Sequence, residues 1–303
     1  MQDLIKKLVS ENLGINISSS VPLSGGQVGN VFRVSTDEKS YVVKFVKAKV
    51  ESSFSTESVN DRVYGSRWSN LLPTYNLLET KNISTPKLYA SGTLRDENLH
   101  YAIFDYLEGD ESDFSSEWFA SLGHSVGSVH AVTRPYQGWP SLNTPYEEDW
   151  ASAFQESIWA RVKQSEQFIN PNLNKALSTY IKKQLIYFTS PKHFVLSHTD
   201  GFQGVFKKEN NDWNLLGVID IEDYQFTDQR FVLSGIELTH AIEGHPVPSS
   251  FWEAYSGAIP IDQSFSDFKL MFQIYYLLVW IRVLQGQDFS LTKCVDYLES
   301  LIR

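Results

Sequence analysis

Near Leu107 the hydrophobic pattern of this 303-residue chain changes period, and that change limits the possible folds more than any other feature. Upstream the apolar runs are short. Val31-Phe-Arg-Val-Ser35 and Tyr41-Val-Val-Lys-Phe-Val46 flank the polar cluster Asp37-Glu-Lys-Ser40, which predicts an antiparallel hairpin. Pro86-Lys-Leu-Tyr-Ala-Ser-Gly92 and His100-Tyr-Ala-Ile-Phe-Asp-Tyr-Leu107 read as further strands around a polar turn. Leu4, Ile5, Leu8 and Val9 have helical spacing and predict an opening helix. Residues 62–80 predict another, with Leu71, Leu72, Tyr75 and Leu78 on one face and a kink or division at Pro73. After Glu108–Asp113 helical spacing dominates: Glu117–Val132, Glu148–Glu166, Leu173–Ser190, Val232–Ile242 and most of 264–303. One compact β-rich insert, 193–224, interrupts them. Strands followed by helices predict an α+β architecture of two lobes. The expected division is a β-rich N-terminal lobe, 1–107, and a mainly helical C-terminal lobe, 108–303.

Composition removes several function classes. Hydrophobic residues make up 42% of the chain, enough for a sizeable core, so wholesale disorder is excluded. The net charge of −10 argues against a nucleic-acid binder, which needs a basic face. The single cysteine, Cys294, excludes an internal disulfide and a cysteine-rich metal site. Met271–Leu284 is the most apolar stretch, but Gln273 and Arg282 interrupt it, and a membrane span needs about 20 apolar residues. It therefore reads as a core helix. With no export signal in the opening residues, the expected location is cytoplasmic.

Four features in order carry chemistry. Gly25, Gly26 and Gly29 lie in Leu23-Ser-Gly-Gly-Gln-Val-Gly-Asn-Val-Phe32, a turn whose amides can approach an anion without interference from a Cβ. Lys44 sits inside the apolar strand 42–46; with Val43 and Phe45 facing a core, Lys44 faces the other way, onto a cleft or onto solvent. Phe194-Val-Leu-Ser-His-Thr-Asp200 is an apolar run that delivers His198 and Asp200 to a loop. Leu215-Leu-Gly-Val-Ile-Asp220 is a second apolar run that ends on a carboxylate. The polar residues Glu209-Asn-Asn-Asp212 between them suggest a hairpin-like unit that brings Asp200 and Asp220 to one rim. Two carboxylates placed this way suit one general base and one magnesium ligand.

This ordered set resembles the aminoglycoside phosphotransferase/choline kinase group, small-molecule kinases of the protein-kinase-like fold, over roughly residues 20–260. The matching pieces are His198-Thr-Asp200, Val218-Ile-Asp-Ile-Glu222, Leu122-Gly-His-Ser-Val-Gly-Ser-Val-His130, Thr85-Pro-Lys-Leu-Tyr89 and Phe104-Asp-Tyr-Leu-Glu-Gly109. The resemblance implies ATP-dependent phosphoryl transfer to a hydroxyl of a small molecule, an aminoglycoside or another amine or sugar, with a cationic acceptor suited to the acidic stretches. It implies that Gly25, Gly26 and Gly29 cover the phosphates, that Lys44 contacts them, that Asp200 is the catalytic base, that Asp220 holds Mg2+, and that His198 orders the loop. The chain departs from the group at several positions, among them Thr199 in place of the usual Gly, and two departures bear on the charged site. Val205 stands where an Asn usually provides a second magnesium ligand, leaving Gln203 as the candidate substitute. The stretch Trp68–Leu72, where the lysine's glutamate partner is expected, has no acid; Glu57 and Asp61 lie upstream. These departures make a weak or inactive nucleotide-binding relative the alternative reading.

Overall fold

The computed structural model describes residues 1–23, 29–47, 67–142, 149–198, 201–284 and 288–302. The N-terminal lobe starts with helix α1 (Gln2–Leu13). Strands β1 (Ser19–Pro22), β2 (Gly29–Ser35) and β3 (Ser40–Lys47) follow, then a 3-10 turn (Arg67–Asn70), helix α2 (Leu71–Thr80), and strands β4 (Leu88–Leu94) and β5 (Leu99–Asp105). They form one five-stranded antiparallel sheet in the order β1-β2-β3-β5-β4. The alternation on β3 sets the two faces. Val43 and Phe45 are buried against Ile5, Leu8 and Val9 of α1, so α1 is the lid of the first core. Lys44 and Val42 point to the opposite face. Pro73 falls in the first turn of α2, where an absent N–H costs no helical bond, and the 3-10 turn precedes it.

The C-terminal lobe contains α3 (Ser116–His130), β6 (Thr133–Arg134), α4 (Trp150–Ser165), α5 (Pro171–Leu185), β7 (Phe194–His198), β8 (Gly204–Glu209), β9 (Asp212–Val218), β10 (Tyr224–Thr227), α6 (Gln229–Glu243), α7 (Ser249–Ala258), α8 (Phe265–Val283) and α9 (Asp288–Ile302). Helix α8 buries residues on every face, among them Met271, Phe272, Tyr275 and Leu278, as expected of a central helix. Asp228 caps α6 and makes a buried ion pair with Arg230 at 2.7 Å, while Trp150 Nε1 donates to the same carboxylate at 3.0 Å. The aspartate therefore ties α4 to α6 and has a structural task. The two lobes together give the bilobal protein-kinase-like fold.

The hairpin in this lobe differs from the expected one. β8 pairs with β9 across Asn210 and Asn211, both in the left-handed conformation that a tight two-residue turn requires. β7 pairs with β10 and β6 instead. Asp220 is brought beside the loop after β7 by one backbone bond, Ile219 N–H to Gln203 O at 3.0 Å. Helix α7 and the short strands β1, β6 and β10 were also not expected from the pattern.

Helices α3 and α7 cross at very close range. A Cβ at Gly123 would overlap the Phe251 carbonyl oxygen, and one at Gly127 would lie 2.9 Å from the Tyr255 carbonyl oxygen. The two glycines in Leu122-Gly-His-Ser-Val-Gly127 are thus a packing requirement. Gly123→Ala should destabilise the protein by about 1–3 kcal/mol, because overpacking outweighs the gain of about 1 kcal/mol in helix propensity. Urea unfolding of the two proteins measures the difference.

Candidate active site

The site is built where β3 faces the loop after β9. Lys44 Nζ donates to Asp220 Oδ1 at 2.7 Å and also pairs with Glu222. Burial works against the ammonium charge, but the two carboxylates outweigh it, and the lysine pKa is raised. For Asp220, burial would raise the carboxyl pKa; Lys44 reverses this and lowers it. Lys44 and Asp220 are therefore both charged at neutral pH. The carboxylates differ in exposure: 43% for the Asp220 side chain and 5% for that of Glu222.

Local backbone geometry explains how both carboxylates reach one lysine. Asp220 has φ 53°, a left-handed conformation that aspartate tolerates better than most residues. Its carbonyl accepts from Asp223 N–H at 3.0 Å and starts the 3-10 turn Ile221–Asp223, which runs into β10. From the other side, Asn70 Nδ2 donates to the Tyr224 carbonyl at 3.2 Å, and Asn70 Oδ1 accepts from Ser141 N–H at 3.2 Å. The turn is thus held from both lobes.

Beside the charged end lies a cavity with apolar walls that include Leu23, Val31, Val42, Phe104, Leu107, Val205 and Ile219. An apolar slot next to a lysine and two carboxylates suits a heteroaromatic base attached to a phosphate chain. Val205 lines this slot from β8. Gln203, half-buried, holds Ile219 through its backbone carbonyl. Gly29 opens β2 opposite Val46. Gly25, Gly26 and Asp200 lie outside the described residues, as do Glu57 and Asp61. The loop that carries Asp200 is framed by described neighbours: His198 pairs with Tyr224 and bridges to Gly201, which has φ 97°. His198 is 3% exposed, with its ring edge-on to Tyr224 at 5.5 Å.

Sequence reasoning missed Glu222 as a partner of Lys44. Its place two residues after Asp220 was a usable signal, since a tight turn at Asp220 keeps both carboxylates near one lysine. Among the described residues no group of three His, Cys, Asp or Glu side chains is placed to hold a metal. Asp220 and Glu222 do supply anionic oxygens, the ligand type that magnesium prefers.

A β-rich lobe and a helical lobe meeting at such a cleft, with a strand lysine joined across it to an aspartate, are shared by the kinases of the protein-kinase-like fold, small-molecule kinases among them. Within them, the chain belongs to the fructosamine kinase family, whose family model matches residues 1–301. A probable ketoamine kinase of Staphylococcus aureus is 24% identical over 168 residues, so the match spans 52% of this chain and about half, 51%, of that relative. A probable ketoamine kinase of Enterococcus faecium is 22% identical over 280 residues, 87% of this chain and 88% of the relative. Among solved structures, a thermostable mutant of an aminoglycoside phosphotransferase, in ternary complex with AMP-PNP and hygromycin B, has a TM-score of 0.63 at 12% identity. That superposition covers 99% of this chain and 98% of the other.

His130 lies beneath the strand that presents His198. It is 1% exposed, with Nδ1 2.9 Å from Tyr255 Oη and Nε2 3.2 Å from Ser197 Oγ. Burial lowers its pKa to about 3. The unfolded chain takes up a proton at this residue near pH 6.5, whereas the folded state does so only near pH 3. Between these values the unfolded state binds more protons, so the contribution of His130 is fully present above pH 6.5 and is lost as pH falls. The loss should be about 2 kcal/mol between pH 6.5 and 5. Denaturant unfolding at a series of pH values should show this slope, and His130→Gln should flatten it.

Proposed function

We propose that the protein transfers the γ-phosphoryl group of ATP to a hydroxyl of a ketoamine, the adduct of an amine and a sugar. The observation that carries this reading is the ion pair of Lys44 with Asp220 across an apolar-walled cleft, in a chain that belongs to the fructosamine kinase family. The two probable ketoamine kinases support the acceptor class, and the AMP-PNP bound by the related phosphotransferase supports the nucleotide.

In this reading the base of ATP enters the slot between Val31, Val42 and Phe104 on one side and Val205 and Ile219 on the other. Lys44 donates to phosphate oxygens. Gly25, Gly26 and Gly29 cover the phosphates with their amides. Asp200 orients the acceptor hydroxyl and accepts its proton, while His198 keeps the loop in shape. Asp220 would hold magnesium, with Gln203 the candidate for a second contact. Magnesium bound there supplies charge neutralisation for the phosphates. A ketoamine carries a protonatable amine, so an acceptor of this class is drawn towards a chain with net charge −10.

The second reading, a nucleotide-binding relative without turnover, is favoured by Val205, which lines the cleft where the group has a metal-binding Asn. One experiment separates the two. Purified protein is incubated with magnesium, radiolabelled ATP and a panel of ketoamines, free amines, sugars and aminoglycosides. Label transferred to ketoamines in preference to the others supports the proposal. Stabilisation by ATP with transfer to none of them would shift the assignment to the second reading.

Two variants give the expected division of labour. Asp200→Asn should lower turnover by about 10²–10⁴-fold with little change in ATP affinity, since the carboxylate acts on the acceptor. Val205→Asn should lower the magnesium concentration needed for half-maximal activity, because it adds a hard oxygen ligand at the cleft. A magnesium titration compares it with the parent protein and with Gln203→Ala.

A further inference from the structure

Lys44 has two carboxylate partners, and they are not interchangeable: one is buried and the other is not. Glu222 stands in the 3-10 turn with its side chain 5% exposed, and no solvent can replace the lysine there. Asp220 is 43% exposed and can exchange the lysine for water or a cation. An ammonium has three N–H donors. With one given to each carboxylate, a third remains for a phosphate oxygen.

The adjoining helix provides no alternative among its described residues. From Arg67 to Thr80 the one acid is Glu79, next to the last residue of α2. At the other end, the residue that faces the turn is Asn70, 1% exposed, and its amide bonds to the Tyr224 backbone and Ser141. The helix end thus fixes the position of the turn, and the turn provides the charge.

Resting on the kinase reading above, we propose that Glu222 is the positioning residue that anchors Lys44 for the ATP phosphates, which leaves Asp220 for the metal. The anchor and the metal ligand then belong to one turn, two residues apart. Whatever moves that turn moves both. Among the described residues, both carboxylates that hold the lysine come from this turn.

Binding of a fluorescent ATP analogue, measured first in EDTA and then across a magnesium titration, tests this. Glu222→Gln should weaken metal-free binding about tenfold or more, the loss expected for one charge-assisted hydrogen bond, with the magnesium midpoint unchanged. Glu222→Asp keeps the charge and should fall between the wild type and Glu222→Gln. Asp220→Asn should do the reverse, abolishing the magnesium response while metal-free binding is equal or stronger. Metal-free binding by Glu222→Gln equal to that of the wild type overturns the proposal. So does a raised magnesium midpoint in Glu222→Gln, which would make Glu222 a metal ligand. A larger metal-free loss in Glu57→Gln or Asp61→Asn also overturns it, by giving the lysine a different anchor. If Glu222→Gln does not fold, Glu222→Asp decides: a several-fold loss in EDTA supports the anchor, and unchanged affinity refutes it. A wild-type protein that binds no ATP analogue at all removes the kinase reading, and the inference with it.

Discussion

Lys44 and Asp220 are 176 positions apart in the chain and 2.7 Å apart in space. The cleft depends on that contact. A lysine side chain only 14% exposed cannot keep its charge without a partner, because leaving one ion of a buried pair alone is strongly destabilising. Its strand cannot supply one: the neighbours Val43 and Phe45 are committed to the core beneath α1. The described partners come from the other lobe, so the charge requirement of one β3 side chain ties that strand to the post-β9 turn.

That turn is short, and each of its residues has a separate task. Ile219 reaches back to the Gln203 carbonyl and joins the turn to the loop after β7. Asp220 takes the left-handed conformation that reverses the chain. Ile221 is buried in the C-terminal core, Glu222 meets Lys44, and Tyr224 opens β10 beside His198. Within six residues the chain therefore connects Lys44, the proposed metal ligand and the strand that carries the His198 loop. Such a construction needs little side-chain machinery elsewhere. It explains why a chain with apolar Val205 and no acid at Trp68–Leu72 still assembles a charged cleft.

Much of this was legible in the sequence, and the parts that were not have physical reasons. The β2–β3 hairpin, the orientation of Lys44 and the central helix α8 follow from periodicity, which local side-chain burial enforces. Helix α7 was not legible because it buries only Phe251 and Tyr255, too few positions to define a period. β6 and β10, of two and four residues, exist because β7 lies between them, and no local pattern encodes such short strands. The expected pairing of the β7 and β9 regions failed for a related reason. Alternation marks a segment as a strand but does not name its neighbour, and Asn210-Asn211 closes the nearer hairpin, β8–β9. Glu222 was overlooked because the search for a lysine partner followed the helix upstream, whereas the turn geometry brought the carboxylate from downstream.

Charge balance at the cleft links the proposed chemistry to the metal. Among the described residues, the lysine and its two carboxylates leave the polar end of the slot with a net charge of minus one. A triphosphate brought there alone meets net like charge at close range, because one ammonium does not balance two carboxylates. On the proposed reading, a divalent cation arriving with the nucleotide would reverse the sign. It would neutralise the phosphates and give the exposed Asp220 a partner, which would lessen the competition for Lys44. The buried Glu222 stays where it is, since water cannot take the lysine's place. On the proposed reading, unequal exposure of two neighbouring carboxylates would make one ion triad a site that favours nucleotide and cation together over nucleotide alone.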